Sequence, residues 1–289
     1  DRAAARGGRI VALTMPTLVP MNMSFKNHCA LFLIPGWQPI MQLPVEWRIE
    51  ALKSPGVRAK LNELAKSKDA GVFRRLSGWG SYIIGDTFSE ANQGLEWREV
   101  AEIAEERGAD PFDTLLDIVI ADDLRTVIWP KPTDGDDATW EMRAAAWNDP
   151  RAMVGGSDAG AHLDRMCGAN YPTAFLADCL RGRKLVAVER AVSMMTKQPA
   201  DLFGLHDRGV LKVGNVADVF IFDPATVDSK PARLVDDLPG NSPRLVAESV
   251  GVARVLVNGT EILVDGTPTG ALPGAILRSG KDTVSVTTR

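Results

Sequence analysis

Residues 151–163 read Arg-Ala-Met-Val-Gly-Gly-Ser-Asp-Ala-Gly-Ala-His-Leu (RAMVGGSDAGAHL). A short apolar run, Arg151 to Ser157, predicts a strand, and the glycines after it let the backbone turn and approach a ligand closely. The strand delivers a carboxylate, Asp158, at its C-terminal end. A carboxylate held there can act as a general base or a metal ligand. The same residue type also suits a turn or a helix cap, so the motif alone leaves both roles open.

Working outward, the strand sits between helical stretches. Leu95 to Arg107, Pro111 to Asp122 and Ala138 to Asn148 carry helical spacing before it, and Thr173 to Arg181 and Glu189 to Leu202 follow. A second apolar run, Arg9 to Met15 (RIVALTM), is bounded by Gly7-Gly8 and Pro16 and reads as a buried strand. Further strands are expected at Ser81 to Gly85 and Thr126 to Trp129. The proline-bearing stretch from Pro16 to Gly94 reads as an irregular insertion with short helical pieces. Strand–helix–strand order up to about residue 204 indicates an α/β fold with parallel strands. The tail changes character. Gly209 to Asp223 and Ala247 to Asp265 hold short strands, and Asn258-Gly259 between two apolar runs predicts a hairpin on a type I′ turn.

Composition narrows the class. The chain has 289 residues, 45% of them hydrophobic, enough for one large or two smaller cores. With a net charge of −4 and no basic run, nothing points to nucleic acid or an anionic surface. No apolar run reaches the ~18 residues of a membrane span. The three cysteines, Cys29, Cys167 and Cys179, form no CxxC pair, which favours a reducing, cytoplasmic setting. No feature of the sequence sets an oligomeric state.

The wording of several segments is more specific than their chemistry. GGSDAGAH at 155–162, KQPADLFGLHDRGVLKVGNVADVFIFD at 197–223, RVLVNGTEI at 254–262 and DGTPTGALPGAILRSGKD at 265–282 resemble the amidohydrolase superfamily. With GLEWREVAEIAEERGADPFDTLLDIV at 94–119, the resemblance is to its D-aminoacylase, or N-acyl-D-amino-acid deacylase, branch. It implies the last strands of a partial (β/α)8 TIM-type barrel over residues 1–204, with an irregular insertion at about 16–94. An appended small β-sandwich domain over 205–289 completes that composite.

The activity so implied is hydrolysis of non-peptide C–N bonds in a small-molecule amide, assisted by one or two divalent metals, usually zinc. Asp158 matches the family's strand-eight aspartate, which takes the water proton and returns it to the leaving amine. In two-metal members that aspartate also touches a metal, so the resemblance makes Asp158 a metal ligand as well. His162 matches a motif histidine and is expected to orient the loop or the substrate. Arg165 is a candidate for holding a substrate carboxylate, although its register departs from the family pattern. The family's other ligands, an HxH pair and later histidines, have no counterpart here; His28 matches no ligand position. We therefore expect those ligands on an upstream part of the same protein. Two other readings stay open: a dihydropyrimidinase- or imidase-like cyclic amide hydrolase, and a non-catalytic interaction protein that keeps the fold.

Overall fold

The computed structural model describes residues 2–26, 30–132 and 134–284. His28 and Cys29 lie outside the described residues, so the ligand reading of His28 has no structural counterpart. The chain forms two compact units: Asp1–Pro20 with Gly135–Arg289, and Met21–Asp134.

In chain order the strands are β1 (Ala12–Thr14), β2 (Ile83–Ile84), β3 (Ile128–Trp129), β4 (Ala152–Val154), β5 (Val219–Phe222), β6 (Asp228–Ser229), β7 (Arg233–Leu238), β8 (Ser242–Val246), β9 (Ser249–Val250), β10 (Val252–Val257), β11 (Thr260–Val264) and β12 (Thr267–Pro268). The helices are α1 (Gln38–Met41), α2 (Val45–Lys53), α3 (Pro55–Lys66), α4 (Val100–Arg107), α5 (Pro111–Ala121), α6 (Asp137–Asn148), α7 (Tyr171–Leu180), α8 (Val188–Met195) and α9 (Lys197–Leu202).

In the first unit β1 and β4 pair in parallel, Ala12 opposite Ala152 and Thr14 opposite Val154. This is the pairing expected of Arg9–Met15 and Arg151–Ser157. The expectation that β1 is a buried strand does not hold. Leu13 is 59% exposed, because among the described residues β1 has one neighbouring strand and no layer over Leu13. Beneath β4 a core gathers Val154, Trp140, Trp147, Phe175 and Met194, with Trp147 edge-on to Phe175 at 5.4 Å. Helical spacing around Glu189 to Leu202 yields two helices rather than one. Thr196, at φ −124° and ψ −77°, breaks the run.

The tail builds a four-stranded antiparallel sheet in the order β12-β11-β10-β5. The β10–β11 turn has Asn258 and Gly259 at φ 51° and 77°, the two left-handed residues a type I′ turn demands. A second hairpin, β7–β8, turns at Gly240-Asn241, also both left-handed. It escaped the sequence reading, since charged residues interrupt its apolar alternation.

The second unit corrects another expectation. β2 and β3, predicted at Ser81–Gly85 and Thr126–Trp129, pair with each other antiparallel and are not members of the parallel sheet. Periodicity marks a strand but does not choose its partner. Much of the proline-bearing stretch is helical: Pro55 opens α3 at its first turn, where a missing N–H costs nothing. The core packs Trp79 against Phe112, the rings tilted by 34° with centroids 4.6 Å apart, and Trp37 donates its indole N–H to the Leu61 carbonyl at 3.0 Å. Asp110 caps α5 by accepting from the Phe112 and Asp113 amides. Among the described residues no helix is long and apolar enough to cross a membrane.

Candidate active site

The candidate site is the segment that leaves β4. One more ladder bond, Gly155 N to Thr14 O at 3.0 Å, carries the parallel pairing past Val154, and then the chain turns. Gly156 and Gly160 take φ 70° and 93°, as only glycine does without cost. More informative are two residues that are not glycine. Asp158 lies at φ 54° and His162 at φ 47°. Left-handed backbone costs an L-residue about 1–2 kcal/mol, less for aspartate, and such residues cluster where a site fixes a side chain.

Local bonds hold this conformation. The Ala159 amide donates to Ser157 Oγ at 3.3 Å, and the Ala161 amide to the Asp158 carbonyl at 3.1 Å. The Arg165 and Met166 amides both donate to the His162 carbonyl, at 2.8 and 2.9 Å. Gly168 packs so closely on Ser157 that a Cβ there would lie 2.0 Å from the Ser157 carbonyl oxygen.

The three residues singled out from the sequence fall on this one loop. Arg165 Nη2 stands 3.2 Å from His162 Nδ1, and Arg165 Nε is 3.5 Å from Asp164 Oδ1. His162 and Arg165 therefore form a pair. Asp158 does not join it: its side chain is exposed, and among the described residues its carboxylate accepts no hydrogen bond. An uncommitted carboxylate at a strand end is free to take a proton or contact a ligand. The sequence reading missed Gly168 and the backbone of Leu245, whose amide donates to the Leu163 carbonyl at 2.7 Å. Neither position carries a chemical signature, because a close approach and a main-chain donor leave no mark on residue type.

Among the described residues no three His, Cys, Asp or Glu side chains gather as a metal group. Asp158 and His162 by themselves do not supply the ligand set zinc takes, so no step is derived through a metal here. Cys167 and Cys179 are buried, and burial raises both thiols. Cys179 is pushed up to about 11, with Asp178 adding to the effect, which keeps it protonated and unreactive near neutrality.

A parallel strand pair with a free carboxylate leaving its C-terminal end defines an α/β protein with its candidate chemistry at the strand ends. A sequence profile of the amidohydrolase family matches residues 5–263, and the chain belongs to that family. It is 41% identical over 106 residues to the N-acyl-D-glutamate deacylase of Alcaligenes xylosoxydans xylosoxydans, a match covering 37% of this chain and 20% of that protein. To the D-aminoacylase of the same organism it is 30% identical over 186 residues, covering 63% of this chain and 34% of that one. The crystal structure of a Bordetella bronchiseptica N-acyl-D-glutamate deacylase, complexed with zinc and a phosphonate inhibitor, is 30% identical with a TM-score of 0.39, covering 68% of this chain and 38% of the other. The chain thus spans about a fifth to two fifths of the length of these relatives.

Proposed function

We propose that the protein is a hydrolase of non-peptide C–N bonds, similar in its reaction to the N-acyl-D-amino-acid deacylases. The observation that carries this is the placement of Asp158: beyond the C-terminal end of β4, left-handed, exposed and uncommitted. Family membership and the names of the relatives support it.

In this reading Asp158 accepts a proton from the attacking water and returns it to the departing amine, so the carboxylate ends each cycle as it began. His162 orients the loop or the substrate through its pair with Arg165, and Arg165 is offered to a substrate carboxylate. A divalent metal, zinc by resemblance, would be held in part by Asp158 and would polarise the amide carbonyl and activate the attacking water. The proposal also includes the arrangement of residues 1–204 as the closing part of a TIM-type barrel, with a small β-sandwich domain at 205–289, and a cytoplasmic setting.

The test is Asp158→Asn in the intact protein, assayed on N-acyl-D-glutamate, N-acyl-D-aspartate and a cyclic imide. Asparagine keeps the size and tolerates left-handed backbone but cannot shuttle the proton. General acid–base catalysis is worth roughly 10²–10⁴-fold, so kcat is expected to fall by that order while Tm barely moves. Metal content is measured on the same sample. A kcat within a few-fold of the parent at equal metal loading would remove Asp158 from the chemistry. Hydrolysis of the imide alone would move the substrate class to cyclic amides.

A further inference from the structure

β8 begins thirteen residues after β6 ends, and two bonds tie this part of the tail to the segment that carries Asp158. The Leu245 amide donates to the Leu163 carbonyl at 2.7 Å, one residue beyond His162. Asn170 Nδ2 donates to Ser229 Oγ at 2.9 Å, just before α7. From these contacts we infer that the β6–β8 segment is a clamp on the Asp158 loop, and that Leu245 is a positioning residue acting through its main-chain N–H.

The edge chemistry of β8 supports a specific contact. Along a strand the N–H groups alternate between the two edges. Leu245 stands opposite Leu234 on β7, yet its N–H points away from β7, to Leu163. Two residues earlier on that outer edge is Pro243, which has no N–H to give. Proline on an edge blocks further strand pairing. The outer edge thus withholds a donor at 243 and presents one at 245, where the site loop accepts it. Leu245 itself is 6% exposed, so water does not compete freely for this bond.

The consequence lies in what Leu163 adjoins. His162 is left-handed, and its carbonyl holds two amides of the following turn. Fixing the next carbonyl fixes that turn and, with it, the His162–Arg165 pair. The clamp is a property of this fold; its effect on turnover rests on the hydrolase reading above.

Leu245→Pro removes the donor while leaving the β7–β8 ladder, which does not use it. Leu245→Ala keeps the donor and removes the side chain. Hydrogen–deuterium exchange in the intact protein reads the clamp without any assay. The segment Ala161–Cys167 is expected to exchange about fivefold faster or more in the proline variant than in the alanine variant, the factor one net hydrogen bond sets. The β10–β11 hairpin should not change. Equal exchange in the two variants would overturn the clamp. Should the proline variant fail to fold, Ser229→Ala, which opens the second tie, is expected to speed exchange across Ala161–Thr173, and no change there would overturn it equally.

Turnover then tests positioning. With the clamp released, kcat is expected to fall about tenfold relative to Leu245→Ala. Faster exchange with unchanged kcat, in a protein that Asp158→Asn inactivates, would refute positioning and keep the hydrolase. If Asp158→Asn leaves hydrolysis intact, the hydrolase reading fails, and exchange alone decides the clamp.

Discussion

At the scale of single residues, the Asp158 loop is shaped by small groups as much as by charged ones. Gly168 carries no positive φ, so the reason for glycine there is space: a methyl would meet the Ser157 carbonyl at 2.0 Å. Backbone cannot retreat as a flexible side chain can, and the residue it would push is the neighbour of Asp158. We expect Gly168→Ala to cost about 1–3 kcal/mol, typical of overpacking, measured as a lower urea midpoint. Activity of the intact protein should fall by more than that loss of folded protein explains, because Ser157 carries Asp158 with it. A variant of parental stability and activity would show that the loop yields. Of this loop, the resemblance to a family motif made Asp158, His162 and Arg165 visible, whereas a carboxylate after a strand suits a turn or a cap as well. Nothing in the sequence marked the pairing of His162 with Arg165 to the exclusion of Asp158, which depends on backbone angles.

At the scale of elements, local signals succeeded where the deciding interaction was itself local. The Asn258-Gly259 turn is an example, its two residues fitted to left-handed angles and its amides anchored on Asp218 Oδ1 at 2.8 Å and the Ala217 carbonyl at 2.9 Å. Alanine at 259 would have to adopt φ 77°. Gly259→Ala is expected to destabilise the protein by about 1–2 kcal/mol, read by denaturant melting, whereas Asn258→Gly should cost less than half of that. A neutral Gly259→Ala would mean the turn relaxes to another type. The same logic explains α5, which starts at Pro111 as the sequence reads and which the structure shows capped by Asp110. It also explains the failure at β2 and β3. Each was legible as a strand, yet their antiparallel pairing links residues more than 40 positions apart, Ile83 to Trp129, and no local pattern selects such a partner.

At the scale of the whole molecule, acid stability offers a test of the second unit. Asp122 is fully buried and accepts from the Ser89 amide at 2.8 Å and from Thr126 Oγ1 at 2.6 Å. Burial by itself pushes its carboxyl up, but hydrogen bonds from Thr126, Ser89, Asn92 and the Phe88 backbone outweigh it, and the net direction is below the usual aspartate range. A depressed folded-state pKa means the unfolded chain binds the proton first. The stabilisation is therefore complete above the ordinary value of about 3.9 and is lost as pH falls through the lower folded-state value. We expect unfolding midpoints to drop below about pH 4, and Asp122→Asn to flatten that drop while lowering stability at pH 7. A variant that keeps the full acid sensitivity would assign it to other carboxylates.

What the sequence determined by itself was whatever depends on neighbours along the chain: the helical stretches, the Asn-Gly hairpin, the strand that precedes Asp158, and a wording that resembles the amidohydrolase family, to which the chain belongs. The tertiary structure alone decided that β2 meets β3, that Leu13 on β1 is uncovered, that Asp158 is left-handed with a free carboxylate, and that Leu245 reaches Leu163 across more than 80 positions. The division has a physical cause. Propensity and turn chemistry act within a few residues and are written in residue type. Pairing, burial and main-chain hydrogen bonds between distant segments are set by the packing of the whole unit, and any residue's backbone can supply them.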